Sequence, residues 1–233
     1  MIRQSINKPR IYFYLLILLF LSTSLNLNYV LKFSELNLIK NIKILGLNNK
    51  EEKLLFEKLK TYKNKNIFLI KKAEIFNILS TFTFLEEFSI QRVLPSKIVV
   101  KAKKTNFEAV TILNGKKFYI GSNGKLIPVS HVTDENNLPF VFGKFSVDEF
   151  LNLQKLLVEQ KINLNSIKRY FYHKGKRWDI ENDKGTLVML PYKNLKSSLI
   201  NYKSIIDNLK NNSSEILDFR IPSKIIITNE KKK

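Results

Sequence analysis

An uncharged apolar run near the N-terminus constrains this chain more than any other feature. Of the 21 residues from position 11 to position 31, 16 are apolar and none is charged. A helix rising about 1.5 Å per residue makes this run match a hydrocarbon core of roughly 30 Å. Arg3, Lys8 and Arg10 precede the run. Because cations stay on the cytoplasmic side, we predict a cytoplasmic tail over 1–10, a transmembrane helix over 11–31 and an exported remainder.

A cleaved signal peptide is the alternative interpretation of the same run. Small residues at positions 22–24 follow an eleven-residue apolar stretch, as at a cleavage site. Apolar character resumes at residues 29–31, and Tyr29 suits a membrane interface. The pattern therefore favours the uncleaved anchor, and both interpretations place the rest of the chain across the membrane.

The composition excludes several kinds of site. The chain has no cysteine, which excludes disulfides, thiolate nucleophiles and cysteine-ligated zinc. Its two histidines, His131 and His173, form no metal-binding motif, and its seven glycines form no phosphate-binding loop. No acid–base pair or nucleophile–base pair has a catalytic spacing. We therefore predict a non-enzymatic protein with no cofactor, no metal and no small-molecule substrate.

The net charge of +20 is typical of proteins that bind nucleic acid or an anionic surface. Of the 40 cationic residues, however, 34 are lysine and 6 are arginine. Arginine is preferred for bidentate contacts to phosphate and guanine. The charge therefore favours background composition, with attraction to acidic partners or anionic lipid as the alternatives, and we predict no nucleic-acid partner.

The segment between residues 42 and 102 has the polarity pattern strand, helix, helix, strand, strand. Apolar residues recur at helical spacing, Leu55 and Leu59 in the first helix and Ile75 and Leu79 in the second. The last two strands alternate in polarity on either side of Pro95, as in a hairpin.

The pattern over residues 106–230 predicts strands with two helices. Asn-Gly pairs at 114 and 123 predict tight type I′ hairpin turns. Ser146 with Glu149 predicts a capped helix, and a second helix is indicated over 195–209. Trp178, in an alternating strand, is predicted to lie in the core.

A final strand is predicted over residues 219–228, with Pro222 near its start. A terminal strand often lies at a sheet edge, where unpaired N–H and C=O groups can accept a strand from another chain. We therefore expect this segment to be a partner-binding edge.

A series of short motifs follows the N-terminal apolar run in order along the chain. Their residues are Phe84-Leu85, Ile90, Arg92, Leu94-Pro95, Ile98, Val100, Ala109, Leu138-Pro139, Gly143, Arg177-Trp178-Asp179-Ile180, Gly185, Val188-Met189-Leu190-Pro191 and Leu217-Asp218-Phe219-Arg220-Ile221-Pro222. In these motifs the chain as a whole is similar to the bacterial FtsQ/DivIB family of cell division proteins, and the element order over residues 39–105 resembles a POTRA domain.

The resemblance implies an α+β protein in several parts. These are a single N-terminal transmembrane helix, a β-α-α-β-β POTRA domain over 39–105, a mixed, mainly antiparallel β-domain with flanking helices over 106–230, and a disordered basic end over 231–233. It implies a single-pass type II protein of the bacterial inner membrane, with a cytoplasmic N-terminus and periplasmic domains at the division septum.

The function implied by the resemblance is that of a divisome scaffold linking early and late division proteins through homologues of FtsB and FtsL. Two other classes stay open: a periplasmic POTRA protein of outer-membrane assembly or secretion, and an exported enzyme after signal cleavage. The expected partner-binding residues are Arg220, Ile221, Ser223, Lys224, Ile225 and Ile227.

Overall fold

The computed structural model of the chain describes residues 8–24, 36–132, 137–208, 215–221 and 224–229. Several predicted features lie wholly or partly outside the described residues. These are positions 1–7 of the cytoplasmic tail, positions 25–31 of the transmembrane helix, Ser223 of the partner site and the basic end over 231–233.

The N-terminal apolar run contains helix α1, Lys8–Ser24, which has 17 residues. Its large apolar side chains are exposed along the whole helix. Among the described residues, the structure contains no helix that is both long and apolar enough to cross a membrane. The transmembrane helix over 11–31 and the single-pass topology therefore stay predictions.

The chain divides into two compact units. The first comprises Met1–Leu45, Leu55–Leu79 and Ser89–Lys101, and the second comprises Gly46–Leu54, Ser80–Phe88 and Ala102–Lys233. The domain boundary predicted between residues 105 and 106 stays a prediction.

The predicted order strand, helix, helix, strand, strand is present in the structure. Strand β3 lies between β1 and β2, and it runs parallel to β1. The identity of this segment as a POTRA domain stays a prediction. Its elements are β1 (Asn41–Leu45), α2 (Asn49–Leu59), a 3-10 turn (Lys60–Tyr62), α3 (Lys72–Ser80), β2 (Leu85–Val93) and β3 (Lys97–Lys104).

The core of the first unit contains the apolar residues whose spacing predicted its helices. Leu55, Leu59, Ile75 and Leu79 are all buried, as is Ile98 of β3. Residues three and four apart share one helix face, so each helix buries one apolar stripe.

The second unit is built on a nine-stranded sheet in the order β12-β11-β10-β9-β8-β7-β4-β5-β6. Five neighbouring strand pairs are antiparallel, and three (β4 with β7, β7 with β8, β10 with β11) are parallel. A mixed, mainly antiparallel sheet is therefore confirmed. Its strands are β4 (Phe107–Leu113), β5 (Lys116–Gly121), β6 (Leu126–Pro128), β7 (Phe140–Phe142), β8 (Ile167–Tyr172), β9 (Trp178–Asn182), β10 (Leu187–Met189), β11 (Glu215–Asp218) and β12 (Ile226–Asn229).

Helices α4 (Val147–Glu159) and α5 (Leu195–Asn208) supply the helical part of the core of this unit. Phe150 of α4 meets Tyr170 of β8 edge to face, with ring centroids 5.1 Å apart. The core also contains Trp178, as predicted, and Tyr202 of α5. One face of the sheet is thus buried by side chains from two amphipathic helices.

The local signals for the start of α4 and for one hairpin turn are confirmed. Ser146 Oγ accepts a hydrogen bond from Glu149 N–H at 3.2 Å, and Ser146 N–H donates to Glu149 Oε2 at 2.9 Å. Asn114 and Gly115 both have positive φ, as a type I′ turn requires. At Asn123-Gly124 only the glycine does, so the type I′ prediction is wrong there.

The prediction of one continuous strand over residues 219–228 is wrong. Strand β11 ends at Asp218, and β12 begins at Ile226 and returns antiparallel to β11. The chain must reverse direction between the two strands. Pro222 falls in that stretch of the sequence, where it offers no N–H to a strand ladder.

Gly143, which ends the Leu138–Gly143 motif, is expected to be important for the stability of the second unit. Its φ is +108°, and a Cβ there would lie 2.2 Å from the carbonyl oxygen of Tyr172. Gly143→Ala should lower the free energy of unfolding by more than about 2 kcal/mol, because backbone must move. Gly115 has φ +73° and an open surrounding, so Gly115→Ala should cost only about 1 kcal/mol. Urea denaturation measures both, and equal costs would contradict the close approach at Gly143.

Candidate partner-binding edge

Strand β12 forms one edge of the nine-stranded sheet in the described part of the chain. It pairs with β11 on one side, with Leu217 opposite Ile227 and Asp218 opposite Ile226. In an antiparallel strand, half of the backbone N–H and C=O groups point away from its neighbour. This edge therefore offers hydrogen-bonding groups to an added strand.

Isoleucines are exposed on both faces of this edge strand. Residues directly opposite each other in a sheet share a face, so Ile227 shares the face of Leu217, which belongs to the core of the second unit. Leu217 is 0% exposed, whereas Ile227 is 52% exposed. Ile226 is also exposed and shares the opposite face with Asp218. The apolar layer thus continues to the edge but is left uncovered there.

A cross-strand row on the face opposite the core aligns two carboxylates with this edge. In register, Asp179 of β9 lies opposite Met189 of β10, Met189 opposite Asp218 of β11, and Asp218 opposite Ile226 of β12. Asp179 and Asp218 therefore lie on the same face of the sheet, on β9 and β11, with β10 between them. Each carboxylate has its own cationic partner.

Arg220 is held against Asp218 by several hydrogen bonds. Its Nε donates to Asp218 Oδ1 at 2.8 Å, and its Nη2 donates to Oδ2 at 2.5 Å. The Arg220 N–H also donates to Oδ1 at 2.9 Å. These bonds hold the pKa of the Asp218 carboxyl below its usual range, and the carboxylate raises the pKa of Arg220. The pair fixes the chain where it leaves β11.

Asp179 is buried and has two basic neighbours. His173 Nε2 lies 2.6 Å from Asp179 Oδ2, and Arg177 Nε lies 3.9 Å from Oδ1. A buried carboxylate is stable only when it is paired or hydrogen-bonded, so these contacts account for its position. They also place Arg177 at the same end of the sheet as Arg220.

A groove of about 640 Å³ opens beside this edge. Its walls come from the β8–β9 turn, the residues before α5, the first turns of α5 and the segment between β11 and β12. Its described lining contains four cations and no acidic residue, together with Tyr192, Phe219, Ile221 and Ile225. The cations are Arg177, Lys193, Arg220 and Lys224. The groove is therefore suited to a segment with aliphatic and acidic side chains.

The structure brings most of the predicted partner-binding residues to this edge. Arg220 and Ile221 follow β11, Lys224 and Ile225 precede β12, and all four line the groove. Ile227 lies within β12, and Ser223 lies outside the described residues.

Several residues of the edge escaped the sequence prediction. Asp218 was predicted only as part of a motif, although its spacing of two from Arg220 in a strand is a signal for a same-face ion pair. Arg177 and Tyr192 come from distant segments, and no local pattern indicates that they join this groove.

No group of three or more potential metal ligands was found among the described residues. The predicted absence of metal, cofactor and substrate stays a prediction, as does the absence of catalysis.

Two comparisons with known sequences bear on identity. Residues 109–220 match the family model "Cell division protein FtsQ/DivIB, C-terminal". Over 196 residues, the chain is 28% identical to "Cell division protein FtsQ" of Rickettsia bellii (strain RML369-C). The alignment covers 81% of this chain and 71% of that protein.

A solved structure shows a more distant likeness. The major extracytoplasmic domain of the trans isomer of the bacterial cell division protein DivIB from Geobacillus stearothermophilus is 16% identical. The alignment covers 46% of this chain and 99% of that domain with a TM-score of 0.33.

The fold and the edge define an α+β protein with a large, mostly antiparallel sheet. At one end of this sheet the β12 edge lies beside a groove lined by four cations. The sequence matches make the identification narrower and support the predicted family: over residues 109–220 the chain matches the C-terminal model of the FtsQ/DivIB family of cell division proteins. That family implies a role in cell division and association with other division proteins.

The Asp218–Arg220 pair is expected to stabilise the second unit in a pH-dependent way. Because the pKa of Asp218 is lowered in the folded protein, its contribution is present above the unfolded pKa of about 4 and is lost as pH falls further. Asp218→Asn should cost under about 1 kcal/mol at pH 7, since Arg220 is 40% exposed.

A double-mutant cycle with Asp218→Asn and Arg220→Gln, read by urea denaturation, measures this coupling. It should be favourable at pH 7 and smaller at pH 3, because protonation of Asp218 removes the ion pair. A coupling that is equal at both pH values would contradict the ion pair.

Proposed function

We propose that this protein is a non-enzymatic divisome scaffold that binds homologues of FtsB and FtsL through the β12 edge. The observation that carries the proposal is Ile227. This side chain continues the buried layer of Leu217 but is half exposed. A strand added to β12 would extend that layer and satisfy the outward backbone groups at the same time.

The chemistry of the groove defines the partner segment more closely. Main-chain hydrogen bonds to β12 would supply affinity without sequence preference, and side-chain pockets would supply specificity. Ile221, Ile225 and Tyr192 suit aliphatic side chains, while Arg220 and Lys224 suit carboxylates. The expected partner is thus an extended segment that combines aliphatic and acidic residues.

Membrane anchoring is the second part of the proposal. Helix α1 is apolar around its circumference, has no acidic residue and exposes its side chains, so it needs apolar surroundings. We place residues 11–31, which include most of α1, in the inner membrane, residues 1–10 in the cytoplasm, and the rest of the chain in the periplasm at the septum. Anchoring raises the effective concentration of membrane-bound division partners.

The two other classes have weaker support. A POTRA protein of outer-membrane assembly would share the first unit, but the family match covers residues 109–220 of the second. An exported enzyme would require signal cleavage. The mass of the mature N-terminus distinguishes this alternative, because retention of residues 1–31 excludes it.

Binding of the FtsB homologue should depend on the exposed isoleucine of β12. Ile227→Asp places a charge on the layer that the partner strand would cover, and should reduce copurification of the full-length proteins at least tenfold. Ile221→Asp and Arg220→Glu should act in the same direction, through the groove.

Ile112→Asp is the matched control, because Ile112 of β4 is 53% exposed and lies in the same sheet away from this edge. This variant should bind normally. If Ile227→Asp and Arg220→Glu fold, as judged by circular dichroism, and still bind normally, the edge is not the site.

Loss of the protein should block septum formation. Depletion in the native organism is expected to give filamentous cells, and the wild-type chain and Ile112→Asp should restore division, whereas Ile227→Asp should not. Cell length measured by microscopy is the readout. Normal division after depletion would overturn the divisome assignment.

A further inference from the structure

Two adjacent apolar side chains project from the first unit between two buried ones. Leu69 is 80% exposed, the largest value among the exposed large hydrophobic side chains of the described residues, and Phe68 is 53% exposed. Ile67 and Ile70 on either side are 0% and 5% exposed. We call Phe68 and Leu69 the apolar tip.

Hydrogen bonds hold the apolar tip in this outward position. Ile67 N–H donates to Asn37 O at 2.9 Å, and Phe68 N–H donates to Asn66 Oδ1 at 2.9 Å. Leu69 N–H closes a turn on Asn66 O at 3.1 Å. After the tip, Arg92 Nη2 donates to Ile70 O. The exposure therefore belongs to a fixed turn with buried flanks.

Lysines surround the apolar tip in sequence. From residue 58 to residue 79 there are six lysines and one acidic residue, Glu74. Lys71 and Lys72, which follow the tip directly, are exposed. Before the tip, Lys65 Nζ lies 5.0 Å from the centre of the Tyr62 ring. Apolar side chains among cations form the pattern by which peripheral segments bind the surface of an anionic bilayer.

The connection to α1 limits how far the part of the first unit that begins at Leu36 can be from a membrane that holds α1. Eleven residues separate Ser24 from Leu36, and a fully extended chain of that length spans at most about 40 Å. This step rests on the proposed anchoring by α1. The short connection would keep the part of the first unit that carries the apolar tip close to lipid headgroups.

We propose that the apolar tip inserts Phe68 and Leu69 into the interfacial region of an anionic bilayer, while Lys71 and Lys72 contact lipid phosphates. Two projecting side chains among cations suit a lipid surface better than an added strand, because Asn66 is already bridged to Leu38. The test has two other outcomes: a protein partner covers the apolar tip, or residues 25–35 of this chain cover it.

The absence of cysteine permits a site-specific test on the full-length chain. Leu69→Cys is labelled with an environment-sensitive fluorophore and reconstituted into phosphatidylcholine vesicles with or without phosphatidylglycerol. Lipids brominated in their acyl chains report direct contact by quenching. Val158→Cys on α4 is the matched control, because Val158 is 57% exposed. A third variant adds Lys71→Gln and Lys72→Gln to Leu69→Cys.

The label at position 69 should shift to the blue and be quenched by brominated lipid when phosphatidylglycerol is present. Both effects should be lost in the variant with two glutamines, and the label at position 158 should stay in water. A blue shift without quenching means that protein covers the tip, and overturns the proposal. Equal quenching in neutral and anionic vesicles overturns the role of the lysines.

Flotation of the same samples separates this proposal from the anchor. A protein that floats with the vesicles while its label at 69 remains in water retains the anchor and disproves insertion of the tip. Quenching at 69 in a protein whose α1 fails to resist alkaline extraction supports the tip and contradicts the anchor. A label in water without flotation overturns both.

Discussion

The burial of one face of the nine-stranded sheet is the interaction on which the rest of the second unit depends. Side chains of α4 and α5 pack into the same core as residues of seven strands, β4, β5 and β7 to β11. Apolar burial of this kind is the dominant favourable term in folding. The place where this burial ends is also where a partner can bind. On the core face Leu217 of β11 is buried, whereas Ile227 on the next strand, β12, is exposed.

The opposite face of the sheet explains why the open end is basic. Asp179 and Asp218 lie in one cross-strand row, and burying carboxylates is costly unless cations accompany them. Arg220 is hydrogen-bonded to Asp218, and Asp179 has His173 Nε2 at 2.6 Å and Arg177 Nε at 3.9 Å, so basic side chains collect at this end of the sheet. Arg220 is therefore both a structural partner of Asp218 and a wall of the groove. Its variants must accordingly be interpreted together with a measurement of folding.

The sequence predicts those elements whose formation depends on residues close together in the chain. Helical spacing identified α2 and α3, the Ser146–Glu149 pair identified the start of α4, and alternation placed Trp178 in the core. The break between β11 and β12 was missed because an apolar run such as residues 225–227 has the same pattern in one long strand as in a short one. The joining of Arg177 and Tyr192 to the groove depends on register between distant strands, which no local pattern encodes.

Background composition accounts for less of the positive charge than the sequence alone suggests. With 34 lysines in 233 residues, a window of 22 would hold about three, but residues 58–79 hold six. This excess surrounds the most exposed apolar side chain of the described residues, Leu69. Charge and apolar exposure coincide again in the groove beside β12. At both places cations lie beside exposed apolar side chains, an arrangement that suits contact with acidic, partly apolar surfaces.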